Sequence, residues 1–551
     1  MRKLFAVLLL ASTVRANDVT VHTMQSGTPS GPLTIHNHGL HGEGQIVAVL
    51  DTGLDYTSCY FREPDNSPPP FNTGTPSGGL NWQNINLSRR KVIAYNFLYS
   101  CDQYPNAQGC DTPNNPASLD NQGHGTHAAG TAVGDMGVPI AHDLADSIAP
   151  GAKLIVQDGG YVSGDFCTQF PGVGCPAKLT PILDQAYKQG ARIHSNSWGD
   201  RQGNPFSPPT ANYPQSAYDI DAFLWSHPDL LVVFNTGNLG QRIATPRSSL
   251  SAPGSAKNTI QVGGARNDWD DDDTISNFTL FGPARDGRIK PDLVAPARVI
   301  AADINFDQNP NTCDATDQPG TSWASPSVAG AAALVRQYYT DGFYPSGAAS
   351  STNAITPSAA LLKATLIAAA RPLLWRKDIL TNSRVAALPV PSIEQGWGFP
   401  VLDESLYFTG DTKKLRVVDV PLSNGLTQGA TSTIRVDVRA GTPFKAVLVW
   451  TDPPGTIRNS ISDTTPQLVN DLDLRIRTGA ETYYGNGGAA PDRLNNVEVV
   501  SIANPDAFTA EITITANRLG FGDRQSYALV LTGDIADAQP TAPARRRAAR
   551  H

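Results

Sequence analysis

Three side chains of this 551-residue chain stand where they could build an acid–base-activated nucleophile. Asp51 closes the apolar run QIVAVL at 45–50 and is followed by Thr52-Gly53. His124 lies in GHGTHAAG at 123–130, and Ser322 lies in GTSWASP at 320–326, ahead of the almost wholly apolar stretch 327–335. A carboxylate can fix an imidazole in its proton-accepting tautomer, and that imidazole can then take the proton of a serine hydroxyl. Each residue also has a plain structural reading. Asp51 can end a strand, His124 and His127 can open a helix, and Thr321 or Ser322 can cap one, with Pro326 in its first turn. Their joint presence in the order Asp, His, Ser favours chemistry.

Such residues need a scaffold. Short apolar runs at 45–50, 153–156, 191–193, 230–234 and 259–262 end in small or polar residues, as do strands buried on both faces of a parallel sheet. Helical stretches lie between them, at 180–188 and 217–226 for example, which gives an α/β doubly wound pattern. In such sheets reactive groups gather at the carboxyl ends of strands, where Asp51 falls. An all-apolar helix is a buried one, and Ser322 would sit at its N-terminal end among free N–H groups.

After about residue 410 the texture changes to strict alternation at 434–438, 471–477 and 511–515. With the runs at 445–450, 497–502 and 527–531 this predicts an antiparallel β-sandwich or jelly roll over 409–534. The predicted catalytic domain is then 17–408. Residues 535–551, rich in Ala, Pro and Arg, read as a disordered basic tail, and 1–16 as a signal peptide. Met1-Arg2-Lys3 is a charged start, and the apolar run from Leu4 to Ala11 falls far short of the roughly 20 residues a bilayer needs.

Hydrophobic residues make up 40 % of the chain, enough for a real core, while charged residues are only 17 % and Gly (49) and Pro (43) are plentiful. That composition excludes a disordered or fibrous chain. A formal charge of -8, with a basic C-terminal stretch at Arg545–Arg547 and Arg550 that reads as a short solvated tail, argues against a nucleic-acid partner. The expectation is an exported protein with no membrane anchor, acting as a monomer. Six cysteines in an oxidising compartment imply disulfides. Cys101 with Cys110 and Cys167 with Cys175 are local pairs, leaving Cys59 with Cys313, although six cysteines allow about fifteen arrangements.

The segments VLDTGLD, GHGTHAAG, SNSWG, FNTGN, DGRIKPDLVAP and GTSWASPSVAG resemble the subtilase superfamily of serine peptidases. Further on, KAVLVWTDPP, LVNDLDLRI, DRLNNVEVV and SYALVLTG resemble the jelly-roll domain of the oxidatively stable alkaline subtilases, so the likeness covers about 40–534. It implies a broad-specificity endopeptidase acting on proteins or peptides. Ser322 would attack the scissile carbonyl, His124 would take its proton, and Asp51 would orient the imidazole. Asn238 and the Ser322 N–H would form the oxyanion hole, and Ser197, Trp198, Gly199, Thr236 and Gly237 would line the substrate cleft. The jelly-roll motifs imply structural calcium at Asp471, Asp473, Asp492 and Asn496. For Asp471 and Asp473, outward-facing residues of an alternating strand are the competing reading.

Two departures stand out. Trp323 replaces the methionine that usually follows the nucleophile, and the segment from residue 17 to Asp51 is too short for the family's prodomain. A catalytically silent subtilase fold serving as a binding module is the rival reading. Other hydrolases fit poorly: there is no second Asp-Thr-Gly, no His-Glu-x-x-His and no Gly-x-Ser-x-Gly.

Overall fold

The apolar runs carry no polar face, so they must be covered on both sides, and they form the parallel centre of an eleven-stranded sheet. The computed structural model describes residues 17–537 except 74–79, 99–119, 121–122, 138–145, 160–178, 200–210, 239–247, 266–272, 305–312, 379, 461, 480 and 504. The central strands are β1 (Ile46–Asp51), β2 (Val92–Phe97), β3 (Lys153–Asp158), β4 (Ile193–Asn196), β5 (Leu231–Asn235), β6 (Ile260–Ala265) and β7 (Leu293–Pro296). They pair in parallel in the order β2-β3-β1-β4-β5-β6-β7. The chain builds to one side of β1 first and to the other side afterwards. That reversal opens a crevice at the carboxyl end of β1, where Asp51 sits.

Helices cover both faces. Val47 and Val49 of β1 join the core that holds α2 (His124–Val133) and α5 (Thr321–Thr340). Leu50 points the other way, into a core with residues of α3 (Thr180–Lys188) and α4 (Gln215–Ser226). The small residues around His124 serve close approach: a Cβ on Gly125 would lie 2.1 Å from the carbonyl oxygen of Gly53. The N-terminal segment is part of this body. Val21 and Met24 of α1 (Asp18–Ser26) are buried in the main core, and the Asn17 N–H donates to the Ile300 carbonyl at 2.6 Å.

The C-terminal strands are β8 (Lys414–Val420), β9 (Thr431–Val438), β10 (Phe444–Val449), β11 (Asn470–Arg477), β12 (Val497–Ile502), β13 (Phe508–Leu519), β14 (Tyr527–Gly533) and β15 (Ile535–Asp537). They form two antiparallel sheets, β8-β14-β10-β12 and a second containing β11-β13-β9-β15. Inner side chains of both sheets, such as Leu448, Leu474, Ile512 and Leu531, share one core. One expectation needs correcting here. The predicted tail begins too early, because Ile535–Asp537 pairs with Val436–Val438 and extends the second sheet. Residues 1–16 and 538–551 lie outside the described residues, as do Cys101, Cys110, Cys167 and Cys175. Cys59 is bonded to Cys313.

The first C-terminal sheet is apolar on both faces because it has two neighbours. Val447, Val449, Val497, Val499, Ala528 and Val530 belong to the core of the α/β body, while Leu448, Val500, Leu529 and Leu531 belong to the C-terminal core. The helix it packs on, α6 (Ala359–Ala368), has both ends held from the C-terminal sheets. Asp419 accepts from the N–H and hydroxyl of the capping Ser358 at 2.9 and 2.7 Å. Lys445 donates to the carbonyls of Ala368 and Ala370 at 2.9 and 2.6 Å. An acid at the helix N-terminus and a base at its C-terminus both complement the macrodipole.

Candidate active site

Asp51 and His124 meet across the crevice. The His124 Nδ1–H donates to Asp51 Oδ1 at 2.7 Å, and the Thr52 N–H donates to the same oxygen at 2.8 Å. A carboxylate only accepts, so Nδ1 carries the proton and Nε2 keeps a free lone pair. The Asp51 side chain is 1 % exposed and that of His124 is 31 % exposed, which leaves the imidazole reachable. Burial pulls the His124 pKa down, but the charge and hydrogen bond of Asp51, with Asp120 behind them, outweigh it and raise it above the ordinary value.

Asp120 is a residue the sequence reading missed. It accepts from the Thr52 hydroxyl (2.9 Å), the Gly123 N–H (3.0 Å), and the Thr126 N–H and hydroxyl (2.8 and 2.6 Å). It thereby ties the turn after Asp51 to the first turn of α2. Burial pushes its carboxyl pKa up against those bonds. The signal was an acid three residues before Gly123, at the mouth of a predicted helix.

Ser322 opens α5, whose cap is Gly320, so Pro326 falls in the second turn rather than the first. Proline has no N–H for the carbonyl four residues back, which is that of Ser322. The Ser197 hydroxyl supplies the missing donor, at 2.6 Å from the Ser322 carbonyl oxygen. The Ser322 backbone is therefore held by a side chain from the end of β4. The Ser322 hydroxyl rests against the Ser197 carbonyl oxygen at 3.4 Å and makes no hydrogen bond to His124. Such looseness is common before substrate arrives.

Asn238 follows the end of β5, beside Ser322. Its Oδ1 accepts from the Thr321 N–H at 2.8 Å and the Thr321 hydroxyl at 3.0 Å. A backbone N–H can only donate, so the amide's orientation is fixed and Nδ2 faces the cleft. The Trp323 ring packs 4.8 Å from His124 and 4.0 Å from His127. His127 is a different kind of histidine. Its Nε2–H donates to the carbonyls of Val299 (3.2 Å) and Thr316 (3.1 Å), and burial drives its pKa down to about 4. It stays neutral and structural.

The sequence profile of the subtilase family matches residues 42–398. The chain belongs to the subtilase family. The serine protease/ABC transporter B family protein tagD of Dictyostelium discoideum is 26 % identical over 90 % of this chain and 32 % of its own length. Bacillopeptidase F of Bacillus subtilis is 26 % identical over 54 % of this chain and 18 % of its own. An alkaline protease of Alkalihalobacillus alcalophilus is 25 % identical over 58 % of this chain and 62 % of its own. The chain thus spans about a third of the length of the Dictyostelium relative. Family and relatives together support a serine protease.

The subtilase's expected cleft residues divide into two groups. Ser197 touches Ser322 through its hydroxyl and its carbonyl, and Thr236-Gly237 precede Asn238 at the end of β5, the Thr236 hydroxyl donating to the Gly237 carbonyl at 3.3 Å. The Trp198 ring instead lies in the core, 5.3 Å from Phe234, so only its backbone can face a substrate. At Gly199 a Cβ would lie 2.3 Å from Ser251 Oγ. That glycine makes room for a neighbouring serine rather than for a substrate side chain.

The four residues expected to hold calcium do not fit that role. Arg493 already lies against both carboxylates of the Asp471–Asp473 pair, and Asn517 donates to Asp471 at 2.9 Å. Asp492 caps its own turn, accepting from the N–H groups of Leu494 and Asn495 at 2.8 and 3.1 Å. Asn496 points away to Asn258 and the Trp450 carbonyl, at 3.1 and 2.9 Å. Among the described residues no three His, Cys, Asp or Glu side chains gather as a cation site.

Proposed function

We propose that this subtilase is a secreted serine endopeptidase that hydrolyses peptide bonds in proteins through an acyl-enzyme. In the first step Ser322 Oγ bonds to the scissile carbonyl carbon, the carbonyl π pair moves onto its oxygen, and the hydroxyl proton passes to His124 Nε2. Asp51 stabilises the imidazolium without taking the proton. Asn238 Nδ2 and the Ser322 N–H donate to the new oxyanion. Collapse breaks the C–N bond as His124 protonates the leaving amine, and water then repeats the sequence to release the acid and restore Ser322.

The observation that carries this reading is the 2.7 Å Asp51–His124 bond beside Ser322, with an Asn238 amide whose free end is aimed at the same place. Export follows from the reading of residues 1–16, and no described helix is long and apolar enough to cross a membrane. The two C-terminal sheets suit a jelly roll. We read the enzyme as a monomer that cleaves broadly after large or apolar residues, a preference resting on the family resemblance. The test is secreted protein on casein, with and without a fluorophosphonate. Inhibitor-sensitive cleavage and stoichiometric labelling of Ser322 are expected. A folded protein that neither labels nor cleaves would instead be a silent binding module.

A further inference from the structure

Beside the two oxyanion donors that the family resemblance implies lies a third N–H donor. A Cβ built on Gly320 would find three nearest atoms, all nitrogens: Asn238 Nδ2 at 3.6 Å, Trp323 Nε1 at 3.6 Å and the Ser322 backbone N at 3.8 Å. All three are N–H donors, and they converge within 4 Å of one point, which glycine leaves unfilled. The Oδ1 of Asn238 is turned out of that space by Thr321. The Trp323 side chain is 4 % exposed, and its indole N–H has no hydrogen-bond partner among the described residues. A buried donor without a partner is uncommon, and indole nitrogens generally find one when buried. Here the unused nitrogen lies beside the same point as the two expected oxyanion donors.

We propose that Trp323 Nε1–H is a third oxyanion donor in acyl transfer. The inference rests on the serine-protease reading above and adds a catalytic residue to it. In the resting enzyme the indole N–H would be held dry and unpaired. As Ser322 Oγ bonds to the carbonyl carbon, the developing negative oxygen would move in among these donors and receive all three hydrogen bonds. Donors fixed before reaction and kept from water stabilise charge without reorganising at the moment it forms. Trp323 is anchored for this by the rings of His124 and His127 on its flank.

The competing explanation is that the ring only buttresses His124, and the experiment must separate ring from N–H. Trp323→Phe keeps an aromatic ring and deletes the donor. The expected result is a kcat lower by roughly 10- to 100-fold with KM nearly unchanged, somewhat below the loss that removing an oxyanion asparagine causes in subtilisin. A peptide aldehyde, which forms a tetrahedral adduct, should weaken by the same factor as kcat/KM. The acidic limb of the pH–rate profile, set by His124, should stay in place, whereas loss of a buttress would move it. If Trp323→Phe folds poorly, replacing Trp323 by benzothienylalanine, isosteric but without N–H, decides the matter. Wild-type kcat in either folded variant, alongside an inert Ser322→Ala, would overturn the proposal and leave the protease reading intact. A wild-type enzyme that fluorophosphonate does not label would remove both.

Discussion

The two ends of the central sheet use the same chemical groups in opposite ways. At the carboxyl end, Asp51, His124, Ser322 and Asn238 leave valences open. Asp51 Oδ2 has no hydrogen-bond partner among the described residues, His124 Nε2 keeps its lone pair, and Asn238 Nδ2 faces the cleft. At the amino end, just before β6 and β7, the buried charges of Lys257, Lys290, Asp292, Lys363 and Asp452 are all paired. Asp292 meets Lys363 at 2.7 Å through one oxygen, and Lys290 at 2.6 Å and the Gln261 N–H at 2.8 Å through the other. Lys257, 0 % exposed, is paired with Asp452 of the C-terminal sheets and also donates to the Gln467 carbonyl at 2.9 Å. Asp452 accepts from the backbone of Val469 and Asn470 as well, at 3.0 and 2.7 Å. Unspent hydrogen-bonding capacity marks the end that reacts, and paired charges mark the end that holds.

That contrast can be broken most sharply at the reacting end. Ser322→Ala should lower kcat about 10⁶-fold and Asp51→Asn about 10⁴-fold, the scale found for triad members in subtilisin and trypsin-like enzymes. Neither should move the melting temperature by more than a few degrees. A large loss of Tm in Ser322→Ala, measured beside its kinetics, would mean that this end also carries the fold.

At the holding end the order of effects should reverse. Asp452→Ala leaves the Lys257 ammonium buried without its counter-charge, and should cost about 3–5 kcal/mol in urea unfolding. Activity per folded molecule should stay near wild type at low temperature. A cost under about 1 kcal/mol would show that water reaches Lys257 and that the pairing matters little.

The two histidines of α2 make the same comparison within one helix, and pH separates them. The His124 pKa is raised by folding, so its charged pairing with Asp51 stabilises the protein below pH ~6.5 and fades as pH climbs through the folded value. Catalysis needs the neutral base, so the acidic limb of kcat/KM should lie above pH ~6.5 and shift downward in Asp51→Asn. His127 runs the other way. Its neutral form is the one that fits, so its contribution is full above pH ~6.5 and is lost as pH falls toward about 4. Thermal melts between those values should fall less steeply in His127→Gln than in wild type; parallel slopes would assign acid lability elsewhere.

The smallest effect is expected at Ser197, which joins the two concerns. Ser197→Ala removes the donor that replaces the missing proline N–H, and should cost about 1 kcal/mol with a several-fold fall in kcat. An unchanged kcat would show that α5 holds Ser322 without help.

The sequence disclosed the parts whose chemistry is local. Asp51, His124, Ser322 and Asn238 sit in motifs whose small residues announce tight packing, and the alternating strands β9, β11 and β13 follow the period of a sheet with one covered face. What it did not disclose depends on partners far along the chain. The runs at β10, β12 and β14 were legible as strands, yet only the fold reveals that their second face covers α6. Asp419 and Lys445 look like ordinary polar residues until they are found at the two ends of that helix. Ser197 read as a cleft residue because nothing in SNSWG tells of a proline more than a hundred positions away. The acids at 471, 473 and 492 looked like cation ligands because the arginine that satisfies two of them lies on another segment.

The attachment of the C-terminal sheets has a bearing on how such an enzyme survives its own company. A concentrated protease attacks exposed chain, and the connection at 409–412 is an exposed turn. Cutting it would not free the C-terminal part, because Val447, Val449 and Val530 are sunk in the neighbouring core and Lys257–Asp452 bridges the seam. The expected outcome of a cut there is a nicked chain whose two parts stay assembled. Limited digestion should therefore give two bands on a denaturing gel and a single active peak on a sizing column, the fragments parting only in denaturant.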